Sequence, residues 1–325
     1  MNPNSSAGPD GIPPLVLKEC AGELAPTLHK IFRESIDTGK LPLDWKTAEI
    51  IPIFKKGSKV YPSNYRPISL TSSTCKVLER IIANELLNFA LRTGSIPAQQ
   101  HGFIPGRSIM TNLLSSLLDW ITEQDKGNPT DIIYLDFSKA FDKVPHRRLL
   151  GKLAHLGIKG KLLRWVKSFL ESRQFWVRNG DSKSQKRVIT SGVPQGSVLG
   201  PILFILYTSD LPLGRHSEIK MYADDTKLYA NPLVNYQHLQ EDLDKIHNWS
   251  KNWMLPLNEA KCIVMHIGKS NPKRSYHIGG ENITEAIAMK DLGIMISNDL
   301  KWANHVNYIS TKANKAIYTL RKAFE

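Results

Sequence analysis

The chain has 325 residues, 41% of them hydrophobic and 22% charged, and 43 Lys and Arg against 30 Asp and Glu give it a formal charge of +13. That balance is ordinary for a globular protein and excludes wholesale disorder and fibrous repeats. The length suffices for about two or three domains or subdomains, and the excess charge asks for a polyanion. Nucleic acid comes before an anionic membrane surface, because counterion release from phosphate rewards clustered Lys and Arg.

The opening MNPNSSAGPDGIPP has neither a basic start nor an apolar core before a small-residue cleavage site, so no secretory signal is expected. Apolar residues at helical spacing (Leu15, Leu24, Leu28, Ile31, Phe32, Ile36) predict a helix over 15–38, with Gly39 as its stop. The run EIIPIF at 49–54 reads as a strand leading into the basic turn Lys55, Lys56, Gly57, Ser58, Lys59, and helical patterns follow over 75–91 and 113–123. At 131–137 the period changes: DIIYLDF after the turn-like GNPT is the pattern of a buried strand, with Asp136 near its end.

Residues 147–170 are helical in pattern, and 174–178 and 186–190 flank NGDS as a hairpin. Ser197 to Leu206 is a buried helix or strand that periodicity does not assign. The longest apolar stretch, Val198 to Tyr207, is about half the length of the roughly 20 residues that span a bilayer and is broken by Gly200 and Pro201, so no membrane partner is expected. Strands at 219–222 and 226–229 flank Ala223, Asp224 and Asp225. An amphipathic helix at 239–254, a strand at 262–267 and a basic helix at 304–324 complete the reading, and the last has no Gly or Pro terminator, so the natural protein is expected to continue. Cys20, Cys75 and Cys262 lie far apart with no zinc spacing, as expected of reduced thiols in a cytosolic or nuclear protein.

Asp136, Asp224 and Asp225 each stand at the edge of an apolar, strand-like run, an expensive place for charge unless a cation or an Arg is supplied. A lone Asp there reads equally as a turn or N-cap residue. Two adjacent carboxylates repel, and a turn needs only one, so the pair suggests metal. Mg²⁺ takes oxygen ligands and retains waters, and two such ions roughly 4 Å apart ease in-line displacement at phosphorus.

The strings YLDFSKAFDKVPHRRLL, TSGVPQGSVLGPILFILYTSDLP and MYADDTKLY resemble motifs A, B and C of reverse transcriptases, most closely those of non-LTR (LINE-like) retrotransposons. GPDGIPP, NYRPISLTSSTCKVLERII, HGFIPGRS, LNEAKC and MKDLGI resemble further segments of that family in the same order. The resemblance implies an α+β right-hand polymerase fold, with fingers in 1–130, a palm with an antiparallel sheet in 131–295 and the start of a helical thumb in 296–325.

It also implies roles. Asp136, Asp224 and Asp225 would be the catalytic, metal-binding carboxylates, joined by the Phe137 carbonyl, for two Mg²⁺ ions, with Mn²⁺ acceptable on the same ligands. Phe141 matches the aromatic gate that would clash with a 2′-hydroxyl, although its apolar context also reads as core packing. Asp142 is read as an N-cap or a partner of Lys143. Gly192, Pro194, Gln195 and Gly196 would let backbone approach the template base and the incoming nucleotide, with Gln195 near its sugar, although GVPQGS alone reads as a turn.

Arg66, Lys55 and Lys56 would grip the triphosphate, and Lys261 would give a proton to the leaving pyrophosphate. Arg107 and Tyr222 fall to nucleic-acid contact, although Ile104 stands where the family often has Arg. The segment from Arg164 to Arg187, with Arg164, Lys167, Arg173 and Arg178 and the interleaved Trp165, Phe169 and Trp176, has a composition fit for backbone contact and stacking; the alternative is an amphipathic helix whose aromatics are core.

The activity implied is RNA-directed DNA polymerisation, extending a DNA primer on an RNA template with deoxynucleoside triphosphates, in a nuclear or cytoplasmic ribonucleoprotein. A truncated remnant that only binds RNA or hybrid duplex, and a group II intron-type reverse transcriptase with maturase function, are the rivals. Oligomeric state is not encoded in these motifs.

Overall fold

A computed structural model describes residues 2–55 and 57–324. In chain order, helices α1 (Pro14–Glu19) and α2 (Ala21–Thr38) are separated at Cys20, whose dihedrals leave the helical region, so the single helix expected over 15–38 is two. Strands β1 (Thr47–Phe54) and β2 (Tyr65–Thr71) follow, then α3 (Ser73–Arg92), capped by the Ser72 hydroxyl, and α4 (Ile109–Asp125), started by a Ser108–Thr111 capping box.

Next come β3 (Thr130–Leu135), α5 (Ala140–Lys143), α6 (His146–His155) and α7 (Gly160–Leu170), the last two separated by a turn around Gly157 within the expected 147–170 helix. Strands β4 (Gln174–Asn179), β5 (Ser182–Lys183) and β6 (Arg187–Val188) form the expected hairpin, and the ambiguous apolar run becomes helix α8 (Gly200–Tyr207). Beyond it lie β7 (Glu218–Tyr222), β8 (Asp225–Ala230), α9 (Tyr236–Asn252), β9 (Ile263–Ile267), β10 (His277–Ile278), β11 (Glu281–Asn282), β12 (Thr284–Glu285), β13 (Ala288–Asp291), β14 (Ile294–Ser297) and α10 (Ala303–Phe324).

The chain forms two compact units. One comprises the residues up to Pro97 together with Lys139–Asp210, and the other Ala98–Ser138 with Leu211 onward. In the first, a mixed sheet has the order β2-β1-β4-β5, with β1 antiparallel to β2 and parallel to β4. Its core is helical: Trp165 and Phe169 of α7 are fully buried and stacked at 5.6 Å, and the Trp165 indole N–H donates to Ser35 of α2 at 2.9 Å.

In the second unit the sheet order is β12-β9-β3-β8-β7, with β3 antiparallel to both of its neighbours. Every residue of β3 is buried, as its near-continuous apolar run requires of a strand covered on both faces. Trp120, Ile132, Tyr134, Tyr229, Met265, Ile267 and Ile296 pack as one cluster on this sheet. The charge buried in its flank is satisfied: Asp131 accepts from Tyr276 and Asn271, both at 2.7 Å, and lies 2.7 Å from His266 Nδ1. Among the described residues, no helix is long and apolar enough to cross a membrane.

Candidate active site

The β3–β8 register ends with Leu135 opposite Thr226, so Asp136 and Asp225 follow directly at the same end of the two strands. Asp224 lies in the two-residue loop of the β7–β8 hairpin, where Tyr222 pairs with Asp225. The first loop residue, Ala223, has φ 57°, the left-handed conformation such tight hairpins demand and an L-residue pays for in strain. The three expected carboxylates therefore belong to one unit and one corner of its sheet.

Their electrostatics call for a cation. Burial, then the charges of Asp224, Asp291 and Asp136, push the Asp225 carboxyl up to about 6, with Lys227 opposing. Burial and the Asp136 charge also raise Asp224, against a main-chain N–H bond that lowers it. Lys261 Nζ stands 3.5 Å from Asp136 Oδ2, an exposed ion pair on the same corner. Among the described residues no three His, Cys, Asp or Glu side chains converge closely enough to hold a metal by themselves. The donor set still fits Mg²⁺, which binds through one or two carboxylates and completes its octahedron with water and substrate phosphate. A cavity of about 300 Å³ opens beside these groups, lined by Asp136, Asp225, Lys220, Lys227, Lys261 and Lys290 among others.

The corner is braced by residues that the motif reading overlooked. Gln100 is 1% exposed, and its Oε1 accepts from the main-chain N–H of Ala223 at 2.9 Å and of Gly102 at 2.8 Å. The segment holding Gln100 pairs with the edge of β7 through His101 N–H to Met221 O (2.8 Å) and Met221 N–H to Gln99 O (2.9 Å). Gly102 is obligatory: a Cβ there would lie 2.6 Å from the Ala223 nitrogen. Pro256 and Asn258 hold the other strand end, Ser138 N–H donating to Pro256 O and Asn258 N–H to Asp136 O at 2.7 Å. Phe137 is buried against Trp249. Behind Asp225, Lys227 and Asp291 form an ion pair of 2.5 Å with side chains 4% and 6% exposed, joining β8 to β13.

Arg107, expected on nucleic acid, donates from Nη1 to the carbonyls of Ala98 and Gln100 and so braces the Gln100 segment. Tyr222 is half-buried, its ring tilted toward Phe103 at 6.5 Å.

The first unit gathers the end of motif A and motif B. Phe141 is half-buried and stacks on Phe204 of α8 at 4.3 Å, and its carbonyl accepts from Val193 N–H at 2.8 Å. Gly192 N–H donates to Val144 O, and the Gly192 carbonyl lies 2.8 Å from His146 Nε2. Gly192 has φ 88°, and a Cβ there would meet the Asp142 carbonyl oxygen at 2.6 Å, so only glycine lets motif B lie against motif A. Pro194 O accepts from the Ser197 hydroxyl, and Gly196 lies against the Ser69 carbonyl. Glu79, fully buried in α3, accepts from Val198 and Leu199 N–H, just before α8, at 2.7 and 3.1 Å. The Asp142 expectation is corrected: it neither caps α5, whose N-cap is Lys139, nor pairs with Lys143, but accepts from Gln195 Nε2 at 2.6 Å.

Arg66 on β2 and Lys55 at the end of β1 are exposed, and Lys56 lies outside the described residues. The basic segment divides. Arg164 and Lys167 are exposed on α7. Arg173 is corrected: it is 1% exposed, lies over the Phe169 ring and donates to Phe169 O, so it is a core residue. Arg178 is tied to Glu49 at 2.6 Å, and Trp176 donates to the same carboxylate. Trp165 and Phe169 are core aromatics, because the apolar face of α7 packs on α2 and α6.

The reverse transcriptase (RNA-dependent DNA polymerase) family profile matches residues 53–312. The chain belongs to the reverse transcriptase family. It is 35% identical over 298 residues to the RNA-directed DNA polymerase from mobile element jockey of Drosophila melanogaster, covering 87% of this chain and 32% of that protein. It is 31% identical to the probable RNA-directed DNA polymerase from transposon BS of the same species, over 97% of this chain and 36% of the relative. It thus spans about a third of the length of these curated relatives, which are products of non-LTR retrotransposons like the family named by the motifs. Among solved structures, an apo telomerase from Candida tropicalis is similar in fold, with a TM-score of 0.55, 12% identity and coverage of 81% of this chain and 55% of that one. Right-hand polymerase architecture is the fold shared.

Proposed function

We propose that this chain is the polymerising core of an RNA-directed DNA polymerase that copies retroelement RNA by extending a primer 3′-hydroxyl with deoxynucleoside triphosphates. The observation that carries the reading is the register that brings Asp136 and Asp225 to the same end of β3 and β8, with Asp224 in the adjoining turn and two of the three carboxyls raised by burial and mutual charge. Asp136, Asp224, Asp225 and the Phe137 carbonyl would hold two Mg²⁺ ions, or Mn²⁺, which when bound offset the charge developing on the attacking and leaving oxygens.

The chain's own residues do the rest. Arg66, Lys55 and Lys56 bind the triphosphate oxygens, and Phe141 rejects a 2′-hydroxyl. The primer 3′-hydroxyl loses its proton to solvent as its oxygen bonds to the α-phosphorus and the bond to the bridging oxygen breaks, and Lys261, beside Asp136, donates a proton to the departing pyrophosphate. Arg164 and Lys167, and the basic face of α10, contact the RNA template and DNA primer by phosphate and shape. In this reading fingers, palm and the start of the thumb occupy 1–130, 131–295 and 296–325, and the enzyme works in a nuclear or cytoplasmic ribonucleoprotein.

The test is primer extension on a DNA primer annealed to RNA, with Mg²⁺ and deoxynucleotides, beside Asp224→Asn. Extension lost in the variant is expected. Binding of the hybrid without extension by the parent chain would replace this reading with that of a remnant that only binds nucleic acid.

A further inference from the structure

Resting on the polymerase reading, in which the motif B turn approaches the incoming nucleotide, we propose that Arg173 is a positioning residue for that turn, acting as the buried counter-charge of Glu79. Glu79 Oε2 accepts from the main-chain N–H of both Val198 and Leu199, the two residues between the turn and the first residue of α8. One carboxylate oxygen meets both donors, and negative charge is favoured at a helix start. Helix α8 then carries Phe204, on which Phe141 stacks at 4.3 Å, so the hold of Glu79 on the chain also fixes what lies under Phe141.

Glu79 is 0% exposed and Arg173 1%, and each alone is an expensive group to bury. Burial pulls the Arg173 guanidinium below its ordinary value, and the charges of Glu79 and then Cys75 push it back. Burial and then the Glu79 charge lift the Cys75 thiol well above its ordinary value, with Arg173 opposing. The three side chains therefore share one interior neighbourhood, all within the first unit. Arg173 is itself anchored there: Nη1 donates to Phe169 O at 3.1 Å, the guanidinium lies 5.0 Å over the Phe169 ring, and the Arg173 carbonyl accepts from Ile189 N–H at 2.9 Å. Among the described residues Arg173 Nε and Nη2 meet no acceptor and Glu79 Oε1 no N–H or O–H donor, so the tie between the two is charge rather than a shared hydrogen bond. Charge acts in this way because the interior screens it far less than water does. Take Arg173 away, and Glu79 is a buried carboxylate without its counter-charge, drawn toward solvent and away from the two N–H groups it holds.

The test follows amide hydrogen exchange at Val198 and Leu199, with primer extension in parallel, in the parent chain, Arg173→Met, Arg173→Lys, Glu79→Gln and the double Glu79→Gln/Arg173→Met variant. Ile158, in the same unit with its N–H on Leu153 O, is the reference amide. Arg173→Met should speed exchange at Val198 and Leu199 by about 10- to 100-fold relative to Ile158, the scale of losing a charge-assisted hydrogen bond, and raise the KM for dNTP roughly tenfold with a smaller change in kcat. Arg173→Lys keeps the charge and should recover most of both. Glu79→Gln keeps a neutral acceptor and should speed the two amides less. In that background Arg173→Met should speed them no further, because the carboxylate charge through which Arg173 acts is gone.

Equal acceleration at Val198, Leu199 and Ile158 in Arg173→Met would make Arg173 a general support of the core and overturn the inference. A further selective acceleration on adding Arg173→Met to Glu79→Gln would overturn it as well. Should Arg173→Met alone not fold, a double variant that folds and exchanges like Glu79→Gln would carry the inference, and one that does not fold would overturn it. A parent chain that extends no primer would overturn the polymerase reading and with it the effect on KM, while the hold of Arg173 and Glu79 on the turn is decided by exchange alone.

Discussion

Two hairpins carry the chain's functional charge in opposite ways. In β7–β8 the carboxylates sit on a strained turn, Asp224 half-buried and Asp225 exposed, whose main chain is held by the buried Gln100 and backed by the buried Lys227–Asp291 pair. In β1–β2 the cations Arg66 and Lys55 stand exposed at the free end of a ribbon whose outer residues are accessible. Like charges must be forced together before a cation or substrate arrives, so their place is determined by side chains that never touch it. A cation that follows a triphosphate needs reach, and solvent costs it little.

The comparison is broken most severely at Asp224 and Asp225. Asp224→Asn should lower primer extension by about a thousandfold, the scale of losing a preorganised electrostatic contact in a nucleotidyl-transfer site. Asp225→Asn should do the same yet raise the melting temperature at pH 7.5 in buffer free of divalent ions. The folded carboxyl is raised to about 6 from an ordinary value of 3.8, so its ionised form opposes folding at neutral pH, and the gain from Asn should fade as pH drops toward 4. By the same shift, Mn²⁺ binding followed by electron paramagnetic resonance should tighten as pH rises through about 6.

Next in size are the braces. Gly102→Ala puts a Cβ 2.6 Å from the Ala223 nitrogen, and Gln100→Leu strips the acceptor from two buried N–H groups; either should lower activity about a hundredfold. Gln100→Leu should also destabilise by about 1–3 kcal/mol in urea unfolding. Gln100→Glu, which keeps an acceptor, should do less.

Lys227→Met leaves Asp291 buried and unpaired and should cost about 3 kcal/mol, much of it returned by Asp291→Leu in the same chain. The smallest structural effect belongs to the exposed ribbon. Arg66→Ala should raise the KM for dNTP by about tenfold, while stability moves by less than about 0.5 kcal/mol. A stability loss at Arg66 as large as that at Lys227 would erase the distinction between the two hairpins.

Much of the frame was legible in the sequence. The change of period at 131–137, the apolar strands flanking Asp224 and Asp225, and the helices at 75–91 and 239–254 are local patterns, and the structure has them as β3, β7, β8, α3 and α9. Strand β2 was hidden because Pro67 interrupts its pattern, and it is a strand through its pairing with β1, Pro67 opposite Pro52. The β13–β14 hairpin escaped for a related reason: short strands draw their definition from partners. The run at 197–206 was ambiguous because a segment buried all round carries no periodicity, and packing on α3 and α6 goes with the helical outcome.

By itself, the sequence determined the residue types of the site, their order along the chain and the family whose motifs they match, because each motif is a contiguous string. Only the tertiary structure decided which polar residues are spent inside the protein. Arg107 and Arg173 look in sequence like any other cation, Asp142 like any helix-start acid and Gln100 like any loop amide. Their partners, Gln100 O, Phe169 O, Gln195 and Ala223 N–H, are fixed by folding. A buried donor or acceptor must be satisfied by whatever main chain or side chain the fold brings within about 3 Å, and no spacing along the chain records that distance.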